Sequence, residues 1–301
     1  MNTTKVRTWL GIMRIPFLIM TPIYVLLGIS VSIHDGNPFN AWFLVLSFLG
    51  ALFAHISVNV FNEYFDYKSG VDFKTKRTPF SGGSGVLPSR ALDPKKAFYL
   101  AIGTLVLLVL IGVYFVSVYG WPILILGLVG VFLIFFYTIL LAKLYIVSEI
   151  SAGGFALIVF GTYFVQNGNC SWSIAILTLI SWLLISNLLL LNEFPDVEAD
   201  RTDGRKHLPI ILGREKSAKI YSFVMVLIYV ILLGAVVLHF LPLTALLGLA
   251  TLPLALKTIV GVLKHHSDSD ALVPYLGTNV VVMLLTPLLV SIGMIIWVFL
   301  F

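Results

Sequence analysis

Apolar residues run for about twenty positions at a time, and nine such runs can be drawn along the 301-residue chain, at about 8–33, 41–61, 97–118, 121–141, 146–164, 174–191, 220–238, 241–262 and 275–300. A run of that length suits a helix crossing roughly 30 Å of hydrocarbon, whereas barrel strands are about ten residues long and alternate. The pattern therefore predicts an all-α membrane protein of nine transmembrane helices, forming one polytopic domain over residues 1–301. Connections fall into two kinds. Short turns rich in Gly, Pro and Asn, such as His34 to Pro38, Tyr119-Gly120, Gln166 to Ser171 and His239-Phe240, lie on one side. Two long polar stretches, about 62–96 and 192–219, lie on the other.

Composition supports this picture, because 59% of residues are hydrophobic, 11% are charged and mean hydropathy is +1.03, whereas roughly a quarter of an ordinary soluble domain is charged. All nineteen Lys and Arg fall on the side of the long stretches once the spans are drawn. The bias of cationic residues toward cytoplasmic loops then predicts that the N-terminus and both long stretches face the cytoplasm. The net charge of +5 is accounted for by that retention and by anionic lipid headgroups, with no call for nucleic acid. The one cysteine, Cys170, excludes an internal disulfide and a thiolate metal cluster. The first apolar run is longer than the core of a signal peptide and no A-x-A-like site closes it, so it is expected to remain in the mature protein.

The two long stretches carry related acidic patterns: Asn62-x-x-x-Asp66-x-x-x-x-x-Asp72 and Asn192-x-x-x-Asp196-x-x-x-Asp200. Their shared orientation reads as a parallel duplication facing one site. Steps of four place side chains on one helix face, and Gly70 allows the chain to turn before Asp72. Hard oxygen ligands without His or Cys partners favour Mg²⁺, which binds one or two carboxylates together with substrate phosphates; the competing reading is an ordinary solvated loop. Arg14, Lys68, Arg77, Lys143, Arg201 and Lys206 are placed to pair with a polyanion, or else serve topology and lipid contact. Ser81-Gly82-Gly83-Ser84-Gly85 offers backbone N–H groups to phosphate or forms a flexible lid. His55 and Asn59 read as interhelical polar contacts rather than ligands.

These residues resemble the signature motifs of the UbiA superfamily of intramembrane prenyltransferases. The match is carried by Asn62-Glu-Tyr-Phe-Asp66-Tyr-Lys-Ser-Gly-Val-Asp72 and by Asn192-x-x-x-Asp196-x-x-x-Asp200-Arg-x-x-Gly204-Arg-Lys. Trp9 to Pro16, Lys143 to Glu149 and Gly161 to Gly168 extend it along nearly the whole chain, and the gap between Asp66 and Asp72 is similar to that of the menaquinone-type branch. Glu193-Phe-Pro195 departs from the more usual Asn-x-Arg.

The resemblance implies nine helices around a central cavity capped by cytoplasmic polar segments. It also implies two Mg²⁺ ions held by Asp66, Asp72, Asp196 and Asp200, with Asn62 and Asn192 beside the cations in binding a polyprenyl diphosphate. The acceptor it implies is 1,4-dihydroxy-2-naphthoate, with geranylgeranylglyceryl phosphate, 4-hydroxybenzoate or haem as alternatives. A cation-coupled transporter is the reading from a different class, and the position of the acids at helix ends rather than mid-bilayer speaks against it. Tyr137 is either a π-face for an allylic cation or an interfacial belt tyrosine. Glu149, within the membrane, either orients an acceptor hydroxyl or makes a helix–helix hydrogen bond.

Overall fold

The computed structural model describes residues 3–300, and all its regular elements among them are helical. Nine are long and apolar enough to cross a membrane: α1 (Ile15–His34), α2 (Ala41–Ser69), α3 (Pro94–Tyr119), α4 (Trp121–Ile139), α5 (Val147–Asn167), α6 (Trp172–Asn192), α7 (Arg214–Val237), α8 (Leu243–His265) and α9 (Ser269–Leu300). Their ends follow local chemistry. Asn40 and Ser171 accept hydrogen bonds from the N–H groups of Phe43 and Ile174 at the starts of α2 and α6, while Asp93 precedes Pro94 and accepts from Lys95. Left-handed Gly70 and Gly168 stop α2 and α5.

Two boundaries differ from the sequence expectation. The first span does not begin near residue 8: a separate helix, Thr3–Ile12, ends before Arg14, whose left-handed backbone (φ 54°) turns the chain into the Pro16-containing start of α1. Residues 62–69 are not loop, because α2 continues helically to Ser69 and carries Asn62 and Asp66 on its last turns.

The largest core cluster joins α1, α5, α6, α7, α8 and α9 through Tyr24, Leu184, Leu191, Tyr221, Met225 and Leu276. Interhelical hydrogen bonds run through it, from Tyr221 Oη to Asn279 Oδ1 (2.8 Å) and between the hydroxyls of Thr251 and Thr286 (2.7 Å). Gly28 lets α1 approach α5 closely, since a Cβ there would meet the Val159 carbonyl. A second cluster packs the N-terminal helix, α2 and α3 around Ile12, Val60, Phe61 and Ala97. In their most apolar windows α3 and α4 are 17% and 11% buried, against 67% for α1, so these two helices form the lipid-facing wall. A cavity of about 650 Å³ lies between the two groups.

Candidate active site

The polar end of the cavity is built where α2 and α6 stop. Asp66 projects from the last turns of α2, and after Gly70 (φ 85°) the short turn Val71–Phe73 brings Asp72 to the same wall. On the facing side α6 ends at Asn192. Asn192, Asp196 and Asp200 do not share one continuous helix, because Pro195 cannot continue the backbone ladder. Asp196 instead precedes a new six-residue helix, Val197–Thr202, which carries Asp200. All three still line the cavity together with Asn62, Asp66 and Asp72.

Arg205 ties the halves together. Its guanidinium is paired with Asp66 of the first motif and lies 3.2 Å from Asp200 Oδ1 of the second and 3.7 Å from Asp203 Oδ2. His207 Nε2 holds the other Asp200 oxygen at 3.0 Å. Arg14 Nε donates to Glu63 Oε1 (2.7 Å), and Glu63, fully buried, also accepts from the Ser84 N–H (2.7 Å) and from Ser84 Oγ (2.6 Å). Glu63 thereby fixes the glycine-rich run, of which Gly82 and Gly83 line the cavity. Gly83 is left-handed (φ 73°), and a Cβ there would stand 3.1 Å from Asp72 Oδ1.

Charge is strained here. Burial, with neighbouring Asp66, raises Asp72 to about 7. Burial, with Asp200, raises Asp196 to about 8. Burial works against the charge of Arg205, yet Asp66 and Asp200 raise its pKa. Asp72 Oδ2, Asp196 Oδ1 and Asn192 Oδ1 are buried without hydrogen-bond partners. No group of three His, Cys, Asp or Glu side chains among the described residues forms a ready-made metal cage. Unpartnered acceptor-only oxygens on both walls suit Mg²⁺, which keeps several waters and takes one or two carboxylates along with phosphate oxygens. The rest of the lining is mainly apolar, with Leu46, Leu108, Leu126, Val131 and Leu157 among its residues.

Of the cations singled out in the sequence, Arg14 alone lines the cavity. Lys68 turns outward over the Tyr64 ring (5.9 Å). Arg77 is exposed, its guanidinium lying over Gly85, and Lys143 is 3.4 Å from Asp203. Arg201 lies in a separate surface groove with Arg214, and Lys206 is exposed. Tyr137 lines the cavity. Glu149 is buried and accepts a hydrogen bond from the Leu208 N–H (2.7 Å), and it is Glu193 that faces the cavity. His55 bonds to Thr21 (3.0 Å), and Asn59 donates to the Met13 carbonyl (3.1 Å), as interhelical contacts. Sequence reasoning missed Glu63, Arg205, His207 and Glu193 as parts of the site. For Arg205 a signal was present, since Gly204 (φ 77°) turns the chain straight back toward Asp200.

Among the described residues, nine helices long and apolar enough to span a membrane surround a chamber onto which both aspartate motifs open. The model of the UbiA prenyltransferase family matches residues 21–280, and the chain belongs to that family, whose members transfer prenyl groups. It is 25% identical over 221 residues to the 1,4-dihydroxy-2-naphthoate octaprenyltransferase of Bacillus subtilis (strain 168), across 71% of this chain and 68% of that protein. It is 26% identical over 272 residues to the digeranylgeranylglyceryl phosphate synthase of Pyrococcus horikoshii, across 89% of this chain and 87% of that protein. Among solved structures, the apo form of a UbiA homolog from Aeropyrum pernix K1 matches with TM-score 0.72 at 14% identity, covering 93% of this chain and 98% of that one. A UbiA homolog from Archaeoglobus fulgidus bound to DMAPP and Mg²⁺ matches with TM-score 0.60 at 13% identity, covering 96% and 99%. These likenesses show the fold. The transporter reading is set aside by family membership.

Proposed function

We propose that this enzyme moves a polyprenyl group from an allylic diphosphate to 1,4-dihydroxy-2-naphthoate, with the diphosphate held at the cytoplasmic end of the chamber. The observation that carries the reading is that both aspartate motifs open into one cavity whose remaining walls are mainly apolar. Asp66, Asp72, Asp196 and Asp200 would hold Mg²⁺, which supplies Lewis-acid stabilisation of the leaving group. Arg14 and Arg205 line the same wall and provide fixed positive charge for phosphate oxygens. The apolar walls take the prenyl chain and keep water from the allylic cation. Tyr137 lines the chamber, where the π-face of its ring would favour that cation. Similarity to the Bacillus subtilis enzyme supports the naphthoate acceptor.

A second reading, geranylgeranylglyceryl phosphate as acceptor, is favoured by the longer match to the Pyrococcus horikoshii synthase. Purified protein given one labelled polyprenyl diphosphate and Mg²⁺, with dihydroxynaphthoate, hydroxybenzoate or geranylgeranylglyceryl phosphate in parallel, separates the readings. Prenylated naphthoate is expected; an ether lipid alone would establish the second reading, and no prenylated product would refute both.

A further inference from the structure

We propose that His55 binds the acceptor, donating from its Nε2 to a ring hydroxyl oxygen, and that Thr21 fixes the imidazole in the tautomer that can do so. His55 lines the chamber from α2, seven residues before Asn62, which places it about 10 Å further along the helix from the polar end than that residue. The residue is 5% exposed. Thr21 Oγ1 lies 3.0 Å from His55 Nδ1, and Phe155 packs edge-on against the ring, with centroids 4.6 Å apart. Those two contacts hold the ring and leave Nε2 as its one nitrogen without a partner in the protein.

Hydrogen-bond accounting then decides where the ring's proton sits. The histidine ion pairs among the described residues are those of His34 and His207, so no carboxylate compensates a charge on His55. A buried charge without a partner is costly, and the ring is therefore neutral, with one N–H and one bare nitrogen. Thr21 is fully buried and its hydroxyl has His55 alone as partner. If Nδ1 carried the proton, the threonine O–H would be left without an acceptor. With the proton on Nε2, Thr21 donates to Nδ1 and both groups are satisfied. What remains is a single N–H donor in a chamber that Phe17, Met20 and Phe155 also line.

A donor of this kind selects its occupant. The apolar prenyl chain has no oxygen to offer and would leave the N–H unpaired. A carboxylate or phosphate is better matched to the guanidiniums of Arg14 and Arg205 than to one neutral N–H. A hydroxylated aromatic ring fits, because its faces lie against apolar and aromatic side chains while one oxygen takes the hydrogen bond, the usual make-up of a small-molecule pocket. The proposal rests on the prenyl-transfer reading and deepens it: His55 favours hydroxylated aromatic acceptors over glyceryl phosphate lipids. No proton is transferred by His55, which holds the acceptor while bonds change at the motif end.

The test uses full-length wild type, His55→Phe and Thr21→Val in lipid nanodiscs at equal amounts of folded protein. With Mg²⁺ and a labelled polyprenyl diphosphate, His55→Phe should raise the KM for 1,4-dihydroxy-2-naphthoate about tenfold, the worth of one hydrogen bond. Its kcat should stay within about threefold and its donor KM within about twofold of wild type, since one uniform binding contact is lost. The analogue 2-naphthoate, which lacks both hydroxyls, should inhibit wild type and His55→Phe equally. Thr21→Val, which removes only the bond to Nδ1, should raise the acceptor KM by a smaller factor. Nitrogen-15 spectra of histidine-labelled wild type, with the His55 signals assigned by their change in Thr21→Val, should show a bare Nδ1 and a protonated Nε2 whose signal moves when the dihydroxynaphthoate is added. These spectra decide the matter even if His55→Phe does not fold. An acceptor KM unchanged in His55→Phe, donor and acceptor KM rising together, a protonated Nδ1, or a His55 signal indifferent to the acceptor would overturn the proposal. Failure of the acceptor reading would appear separately, as a wild type that forms no prenylated naphthoate, and would take the assigned ligand with it.

Discussion

The most heavily used side chain at the site is Arg205, because its planar fork reaches carboxylates of both motifs at once. Lys in its place keeps the charge but has no fork, so Arg205→Lys should lower turnover at least tenfold while Lys206→Ala, at an exposed position, changes it little; equal activity of the two variants would remove Arg205 from the site. Asp66→Asn and Asp196→Asn each delete an anionic oxygen at nearly constant size. If those oxygens serve a diphosphate that is most charged in the transition state, the loss should fall on kcat, by about a hundredfold, roughly 3 kcal/mol. Asp93→Asn is the control, since asparagine caps α3 as aspartate does. The four aspartates were legible because their spacing recurs. Which cations face them was not, since all nineteen basic residues share one membrane side and only the turn at Gly204 decides that Arg205 points inward and Lys206 outward. Glu149 and Glu193 show the same limit: both are acids near the bundle's polar end, and the break at Pro195 is what aims Glu193 at the chamber.

Among the elements, the apolar runs located every span, while the breaks inside polar stretches were harder to see. Nothing in the periodicity of residues 8–33 marks Arg14 as left-handed, although Pro16 marks a helix start. Conversely, Asn62 to Ser69 looked like loop by polarity, yet they stay helical because Asp66, Glu63 and Asn62 find partners in Arg205, Arg14 and Thr138. The glycine-rich run is held over the chamber by Glu63. Ser84→Ala removes one of its two bonds to Glu63, so faster proteolysis between residues 75 and 90 is expected, relieved by donor and Mg²⁺; unchanged cleavage would mean the run is fixed by other contacts. The raised Asp72 and Asp196 carboxyls, at about 7 and 8, hold protons that a metal must displace. The Mg²⁺ concentration giving half-maximal activity should therefore fall as pH rises from about 6 to 8.5, and a pH-independent requirement would contradict that electrostatic reading.

At the scale of the whole molecule, the chamber lies where two packing groups meet, the large cluster around α6, α7 and α9 and the smaller one around α2 and α3. Each contributes one aspartate motif, so relative movement of the groups would change the separation of the motifs. We propose that the motif-bearing end faces the cytoplasm, on the basis of the one-sided distribution of Lys and Arg. Cysteines introduced at the exposed positions Ser89 and Ser267 should then be labelled by an impermeant reagent from the cytoplasm, and native Cys170, also exposed, only from the opposite face. Labelling of all three from one side would refute this topology. The central claim is metal-dependent prenyl transfer at a single chamber, and its most direct test is turnover of labelled polyprenyl diphosphate with dihydroxynaphthoate after exhaustive chelation. Activity should vanish with EDTA and return on adding Mg²⁺, whereas full activity in rigorously metal-free buffer would contradict the account.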